Sequence, residues 1–197
     1  TPTNEVISFR KNSKLLANNS RLTNCVIDNY SNPERHEQDS WVALYGKNNR
    51  VDHNHFEGKG NRGVTLIVRL NSKESIENNH IIESNYFGPR QNLGSNGGET
   101  LRVGTSHFSM EKSNTLVQDN YFDRCNGEHE IISNKCDQTT YKNNVFFESI
   151  GTLTMRHGDE TLVEGNVFLG NRKRNTGGIR VINGQQTVRN NYGYGLT

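Results

Sequence analysis

Short apolar runs alternate with polar turns along the whole chain. The runs contain β-branched and apolar residues, and the gaps between them are rich in Asn and Gly. Runs of this length favour strands, and no window has the periodicity of an amphipathic helix. Asn and Gly in the gaps favour turns that need positive φ. The pattern predicts an all-β chain, with one series of strands at residues 41–45, 64–68, 100–103, 130–133, 152–155 and 179–182.

A short phrase recurs among these strands: Asn, then any residue, then an aromatic. Weaker copies begin at Asn24 and Asn191. Clear copies begin at five asparagines: Asn54, Asn85, Asn120, Asn144 and Asn166. Successive clear copies are 22 residues (Asn144 to Asn166) to 35 residues (Asn85 to Asn120) apart. Such a period indicates a solenoid. Two or more strands per repeat predict a right-handed parallel β-helix of about seven coils, with the aromatic residues stacked inside. Neither a leucine-rich consensus nor a propeller signature is present.

The 197 residues predict one domain, spanning residues 1–197. Solenoids need polar caps at their ends, and neither end of this sequence has one. We therefore expect further coils beyond one or both ends. Exposed end coils would also favour self-association through unpaired strand edges.

Composition narrows the possible partners and locations. Only 30% of residues are hydrophobic, which suits the narrow core of a β-helix, and the net charge is only +2. With so small a charge and no recognisable binding motif, we expect no nucleic-acid partner. No segment is long and apolar enough to span a membrane, and no signal peptide opens the sequence. Cys25, Cys125 and Cys136 lack metal-site spacing, so free thiols are expected, although a Cys125–Cys136 disulfide is left open.

Charged residues recur at intervals of about one coil. Asn96 to Glu128 is 32 residues, Lys135 to Arg156 is 21, and Arg156 to Arg180 is 24. Side chains one coil apart lie on neighbouring rungs of a solenoid. Glu128 and Glu130 are two residues apart and face the same side of an extended strand. Each group alone would be read as a solvated surface, but together they predict a site.

The residue types indicate the chemistry of that site. Two carboxylates and an Asn amide form an oxygen-only ligand set, which Ca²⁺ prefers over softer metals. A lysine and an arginine one coil apart have no evident purpose in a purely structural solenoid. Further cations, namely Arg102, Lys173 and Arg174, lie in or beside the same coils and suit an anionic polymer.

The sequence contains four segments that resemble, in the same order, segments of polysaccharide lyase family 6. They lie at residues 96–106, 127–135, 151–159 and 175–182. That family includes alginate lyases and dermatan lyases of the chondroitinase B type. The resemblance implies a right-handed parallel β-helix and a secreted or periplasmic protein. By resemblance, the Ca²⁺ ligands are Asn96, Glu128 and Glu130. Lys135 is implied as the base and Arg156 as the acid, while His157 and Arg180 contact the sugar. The chain differs from the family in having Cys136, where Ser commonly follows the lysine, and in its short length.

The resemblance therefore predicts Ca²⁺-assisted β-elimination in a uronate-containing polysaccharide, with alginate favoured over dermatan sulfate. Elimination leaves a 4,5-unsaturated uronate at the new end. One alternative is a non-catalytic β-helix module, or an inactive lyase fragment, that binds acidic glycans. A different β-helix enzyme, such as a pectate lyase or a glycoside hydrolase, is another alternative. A hydrolase could use Glu128 and Glu130, although two residues on one strand are a poor pair for flanking a bond. The sequence does not decide block preference, endo or exo action, or oligomeric state.

Overall fold

The computed structural model describes residues 4–94 and 96–197, which form a parallel β-helix. Each coil contributes three short strands. Coils 1 to 4 contain β1 (Glu5–Ser8), β2 (Arg21–Thr23), β3 (Val26–Asp28); β4 (Ser40–Leu44), β5 (Arg50–Asp52), β6 (His55–Glu57); β7 (Leu66–Val68), β8 (Ile81–Glu83), β9 (Tyr86–Phe87); β10 (Leu101–Gly104), β11 (Leu116–Gln118), β12 (Tyr121–Asp123). Coils 5 to 7 contain β13 (Glu130–Lys135), β14 (Thr140–Lys142), β15 (Val145–Phe147); β16 (Gly151–His157), β17 (Leu162–Glu164), β18 (Val167–Leu169); β19 (Thr176–Val181), β20 (Thr187–Arg189), β21 (Tyr192–Tyr194).

Equivalent strands of successive coils pair in parallel and form three seven-stranded sheets. Sheet A contains the first strand of every coil, sheet B the second and sheet C the third. Two short 3₁₀ helices, Lys73–Ser75 and Ser106–Phe108, interrupt the connections that follow sheet A. The prediction of an all-β solenoid with about seven coils is confirmed. Each strand predicted for sheet A overlaps an observed strand, with ends that differ by up to three residues.

The aromatic residues of the repeated phrase stack inside the helix, as predicted: Phe56, Phe87, Phe122, Phe146 and Phe168. From Phe87 onward, successive ring centroids are 4.8, 4.7 and 4.6 Å apart and the planes are nearly parallel. Offset stacking at such distances contributes attraction beyond simple burial. The column keeps the coils in register, so side chains one repeat apart meet on the outer surface.

The asparagines of the phrase form a buried ladder that the sequence pattern did not reveal. The Oδ1 atom of Asn144, for example, accepts hydrogen bonds from the backbone N–H and the side-chain amide of Asn120, both at 3.0 Å. The amide of Asn120 also donates to the carbonyl of Ile82 at 2.9 Å. The ladder satisfies polar groups that would be costly to bury unpaired.

The positive φ of each turn belongs to the residue before the ladder asparagine. Asp119 has φ 55° and Asn143 has φ 53°. In coil 1 Asn24 has φ 55°, and the N–H of Cys25 donates to Asn54 Oδ1 at 3.0 Å. The copy of the phrase read at Asn24 was therefore wrong by one residue, because Cys25 occupies the ladder position.

All three cysteines are free thiols, which excludes a Cys125–Cys136 disulfide in this structure. Cys125 and Cys136 are buried, and burial raises the pKa of each thiol to about 12. Cys136 packs into the core, on the opposite side of the strand from Lys135. Serine is therefore not needed at this position by the groups on the outer face. Among the described residues, no helix has the length and hydrophobicity of a membrane-spanning segment.

His80 makes stability sensitive to acid. It is fully buried, its Nδ1 accepts a hydrogen bond from the Asn49 N–H at 3.1 Å, and burial lowers its pKa to about 4. The unfolded chain, with a histidine pKa near 6.5, therefore binds this proton first as the pH falls. The contribution of neutral His80 to the free energy of unfolding is therefore fully present above about pH 6.5. It falls by about 3 kcal/mol as the pH drops towards 4.

We expect the variant His80→Gln to show a smaller loss of stability than the parent chain when the pH falls from 7 to 4.5. Urea unfolding at the two pH values measures this. His36→Gln, at an exposed position, is the matched control and should keep the full loss. An equal acid loss in the parent and in His80→Gln would show that other groups carry the effect.

Candidate active site

The outer face of sheet A brings together the cationic residues predicted from the sequence. Within the pairing of β13 with β16, Asn134 lies opposite Met155 and Lys135 opposite His157. Arg156 is therefore an extra residue in β16, a bulge of the kind that re-aims side chains. In the next pairing, Arg180 lies opposite Thr154. Lys135 thus has both Arg156 and His157 beside it, and Arg180 lies one strand farther on.

Three buried glutamates lie next to these cations. Glu130 begins β13, and its Oε1 accepts a hydrogen bond from Arg156 Nη1 at 2.7 Å and lies 4.0 Å from Arg180 Nη1. Glu128 lies just before β13, where its Oε2 accepts a hydrogen bond from the Gly98 N–H at 3.1 Å. Glu99 lies just before β10, with Oε1 3.6 Å from Arg102 Nη1. The site therefore places three carboxylates within a mostly desolvated cluster.

Desolvation and mutual repulsion act on this cluster. Burial, and then the charge of Glu99, raises the pKa of Glu128 to about 7. The charge of Glu130 acts in the same direction. Carboxylates whose ionised forms repel each other in a buried site gain most from a bound cation.

Glu99 is a member of the site that the sequence reasoning missed. Leu101 pairs with Ile132, which lies 31 residues later in the chain. Glu99 and Glu130 lie two residues before these partners, so they are also 31 residues apart. That offset, close to one coil, was the available signal. Asn96, by contrast, is exposed at the start of the turn that leads to Glu99. The structure thus brings Glu128 and Glu130 together, but it does not bury Asn96 with them.

The donor set fits a hard cation in its chemistry. Glu99, Glu128 and Glu130 offer carboxylate oxygens, and Glu99 Oε2 is buried without a hydrogen-bond partner in the described part of the chain. The side chains are not arranged as a closed cage, since within residues 4–94 and 96–197 no three His, Cys, Asp or Glu side chains converge on one point. Glu130 instead pairs with Arg156, so cation binding would require that contact to loosen.

Arg90 holds the backbone of the turn before β10, which carries Glu99, in place. Its buried guanidinium donates to the carbonyls of Gly98 and Glu99 at 3.0 and 2.7 Å, and to those of Asn61 and Gly63 at 2.9 and 2.7 Å. Above it the backbones of Gly98 and Gly127 approach so closely that a Cβ on Gly98 would lie 2.3 Å from the Gly127 carbonyl. The two glycines are therefore required by close packing between coils.

The environment of Lys135 favours its neutral form. Lys135 is half-buried, and burial followed by the charge of Arg102 lowers its pKa from the ordinary value. Arg156 acts in the same direction, although less strongly than Arg102. The pKa of His157 is also lowered, by burial and then by Lys135 and Arg156. A lysine in such surroundings is a more available base near neutral pH.

The other predicted cations differ in their surroundings. Arg102 is part of the site, beside Glu99 and Lys135. Lys173 instead pairs with Glu148, with 2.6 Å between Nζ and Oε2. Arg174 is exposed in the loop between coils 6 and 7. Of these three predicted cations, Arg102 is therefore the one that adds positive charge to the site.

Comparisons with known proteins identify the family of this chain. A family model described as Chondroitinase B matches residues 1–197. Among solved structures, the PL6 family alginate lyase AlyGC is 64% identical with a TM-score of 0.98, covering 100% of this chain and 27% of that chain. A mannuronic acid specific polysaccharide family 6 lyase from human gut microbiota is 41% identical with a TM-score of 0.95, covering 98% of this chain and 44% of that chain.

A PL6 alginate lyase in complex with a trisaccharide is 30% identical with a TM-score of 0.78, covering 89% of this chain and 39% of that chain. A comparison with curated proteins gave no match. The chain therefore spans between about a quarter and a half of the length of these solved relatives. The family match extends over the entire sequence, and two relatives exceed 40% identity over nearly all of it. This chain belongs to polysaccharide lyase family 6.

Proposed function

We propose that the chain carries the catalytic centre of a lyase that cleaves alginate, a uronate-containing anionic polysaccharide, by β-elimination. The observation that carries the proposal is the bulge in β16, which sets Arg156 and His157 beside the half-buried Lys135. Three buried glutamates adjoin these cations. The alginate lyases among the solved relatives support the choice of polymer.

Lys135 acts as the base in this mechanism. Its neutral amine takes the proton from C5 of the uronate, and the electron pair left on C5 is delocalised into the adjoining carboxylate. That pair then forms the C4–C5 double bond as the bond from C4 to the bridging oxygen breaks. The lowered pKa of Lys135 increases the fraction of the amine that is neutral near pH 7.

Arg156 stabilises the leaving group. Its guanidinium stays protonated in almost any setting, so its main contribution is a hydrogen bond to the bridging oxygen as negative charge develops there. In this structure Arg156 Nη1 donates to Glu130 at 2.7 Å, and this contact would loosen when Glu130 holds a cation, which would leave the guanidinium free for the bridging oxygen. The departing oxygen takes a proton from water and becomes the hydroxyl of the departing fragment, and the hydroxide left behind is neutralised by the proton that Lys135 took from C5. His157 and Arg180 flank this position and contact the sugar chain.

Ca²⁺ is part of the proposal. Asn96, Glu128 and Glu130 would hold the ion, with Glu99 adding negative charge beside them. When bound, the ion neutralises the uronate carboxylate and so makes the C5 proton more acidic. The buried, unpartnered Glu99 Oε2 and the repulsion acting on Glu128 support a cation at this position.

Dermatan sulfate is the second candidate substrate, favoured by the description of the matching family model. An inactive module that binds acidic glycans is the non-catalytic alternative. Because either polymer lies outside the cell membrane, we also propose that the protein is secreted or periplasmic.

Near-ultraviolet absorbance tests the proposal, because the product has a new C4–C5 double bond conjugated with the carboxylate. The chain is mixed with alginate, with mannuronate-rich or guluronate-rich blocks, or with dermatan sulfate, each in Ca²⁺ or in excess chelator. We expect a Ca²⁺-dependent rise with alginate. A rise with dermatan sulfate alone would reassign the substrate, and a folded chain that gives no rise would favour the binding module.

A further inference from the structure

Lys59 is a buried lysine that the mechanism above does not use. It follows β6 in coil 2, only 2% of it is exposed, and its Nζ lies 2.6 Å from Asp39 Oδ1. Burial lowers the pKa of Lys59 to about 8, although Asp39 acts in the opposite direction. Because a buried ion pair often recovers no more than its desolvation cost, stability alone is a poor reason for keeping one.

The other hydrogen bonds of this ammonium group all go to residues 61–63, which we call the support segment. Lys59 Nζ donates to Asn61 Oδ1 at 2.8 Å, to the Asn61 carbonyl at 3.3 Å and to the Arg62 carbonyl at 3.0 Å. The amide of Asn61 donates in turn to the Glu37 carbonyl at 2.9 Å. These bonds fix the direction in which the carbonyls of the support segment point.

The support segment contacts the turn at residues 96–99 directly. The Gly63 N–H donates to the Gly97 carbonyl at 2.8 Å. Gly97 lies between Asn96, a proposed Ca²⁺ ligand, and Glu99, the carboxylate with a buried oxygen that has no partner in the described part of the chain. The backbone that carries both side chains is therefore attached to the segment that Lys59 fixes.

Arg90 makes a second connection between the same two parts of the chain. Its guanidinium donates to two carbonyls of the support segment and to two carbonyls of the turn. The Asn61 carbonyl accepts from both Arg90 Nη2, at 2.9 Å, and Lys59 Nζ. Lys59 thus fixes an acceptor that orients Arg90, and Arg90 fixes the backbone at Glu99.

We propose that Lys59 is a positioning residue for the Ca²⁺ site: it fixes the support segment, which holds the turn carrying Asn96 and Glu99 through Gly63 and Arg90. The proposal rests on the proposed function, because the ion site is part of it. Groups that orient metal ligands from outside the ligand set commonly tune metal affinity. Ca²⁺ affinity should therefore depend on a lysine that acts only through other residues.

The test compares Lys59→Met with the double variant Asp39→Asn/Lys59→Met. Methionine fills similar space without an ammonium group. The single variant leaves the Asp39 carboxylate buried and unpaired, so its Tm should fall. The double variant removes both charges and should recover part of that loss. If the single variant does not fold, the double variant still supplies the measurement.

Isothermal titration with CaCl₂ is the main readout. We expect the Kd for Ca²⁺ to rise at least about tenfold in both variants, since neither has a donor for the carbonyls of the support segment. Stability and ion affinity should therefore separate in the double variant, which regains Tm but not affinity. A double variant that is folded and binds Ca²⁺ with a Kd within about twofold of the parent would overturn the positioning role.

Asp52→Asn is the matched control. Asp52 is a fully buried carboxylate of the same coil, but it lies on sheet B and pairs with Arg21 at 2.6 Å. This change should lower Tm and leave the Ca²⁺ isotherm unchanged. A control that weakens Ca²⁺ binding as much as the double variant would show that general loss of stability, and not positioning, sets the affinity.

Hydrogen exchange gives a readout that does not involve the ion. The Gly63 N–H, which bonds to the turn, should exchange faster in the double variant than in the parent, and Asp52→Asn should leave it unchanged. Turnover gives another: the Ca²⁺ concentration for half-maximal rate should rise at least about tenfold, while kcat at saturating Ca²⁺ changes much less. Unchanged exchange at Gly63 in the double variant would contradict the proposed connection.

These outcomes distinguish the positioning role from the lyase itself. Ca²⁺-dependent cleavage by the parent, with an unchanged Kd in the double variant, overturns the positioning role and leaves the lyase standing. Ca²⁺ binding that depends on Lys59 in a chain that cleaves nothing supports the positioning role and contradicts the lyase. A folded parent chain that binds no Ca²⁺ overturns the ion site and the positioning role together.

Discussion

Lys135→Met is expected to abolish cleavage of the polysaccharide, lowering kcat by about a hundredfold to ten-thousandfold, the contribution typical of a positioned general base. The side chain is half-buried, and burial followed by the charge of Arg102 lowers its pKa, which increases the neutral fraction of the amine over that of an ordinary lysine. Methionine fills similar space without a basic nitrogen. Initial rates from the absorbance of the product measure the loss.

The control for this prediction is Lys142→Met, which removes a lysine from β14 on sheet B. It should retain the parent rate, since Lys142 is on a different face of the solenoid. Calcium affinity should be unchanged in Lys135→Met, because no carboxylate is removed. A rate within tenfold of the parent chain would assign the base to another residue.

Glu128→Gln is expected to weaken Ca²⁺ binding by at least about tenfold, because Ca²⁺ affinity depends strongly on the number of charged oxygen ligands. Glutamine keeps the shape of the side chain and one oxygen, and its amide group can still accept the hydrogen bond from the Gly98 N–H. Isothermal titration with CaCl₂ measures the affinity directly and does not require turnover. The same change should raise the Ca²⁺ concentration needed for half-maximal rate.

Glu164→Gln is the matched control, because Glu164 lies on sheet B and pairs with Arg189 at 2.9 Å. It should leave the Ca²⁺ isotherm unchanged. Excess chelator should silence the parent enzyme, and added Ca²⁺ should restore it. An unchanged isotherm in Glu128→Gln would remove this carboxylate from the ion site, and full activity in chelator would remove Ca²⁺ from the mechanism.

The repeated phrase carried most of the information about the fold. Its aromatic residues must be buried at one fixed point in each coil, so their spacing reports the number of coils and the alignment of one coil with the next. The burial of the five phenylalanines and the overlap of the predicted strands with sheet A follow from this constraint. The same alignment placed Lys135, Arg156 and Arg180 on successive strands.

What the sequence did not reveal depends on details smaller than one repeat. Counting offsets cannot detect the extra residue in β16, which sets His157 rather than Arg156 opposite Lys135. Nor does it distinguish the ladder asparagine from the positive-φ residue before it, which caused the error at Asn24. Glu99 was not predicted because the 32-residue offset from Asn96 to Glu128 and the 31-residue offset from Glu99 to Glu130 are both close to one coil.

The most direct test of the central claim, cleavage by β-elimination, is the mass of the fragments released from a defined alginate oligomer. Elimination splits the chain without adding water, so the masses of the two fragments should sum to the mass of the substrate. The fragment with the new non-reducing end should lack one water relative to a saturated oligomer. Fragments whose masses sum to the substrate plus one water would show hydrolysis and contradict the account, as would an intact oligomer after incubation with the folded chain and Ca²⁺.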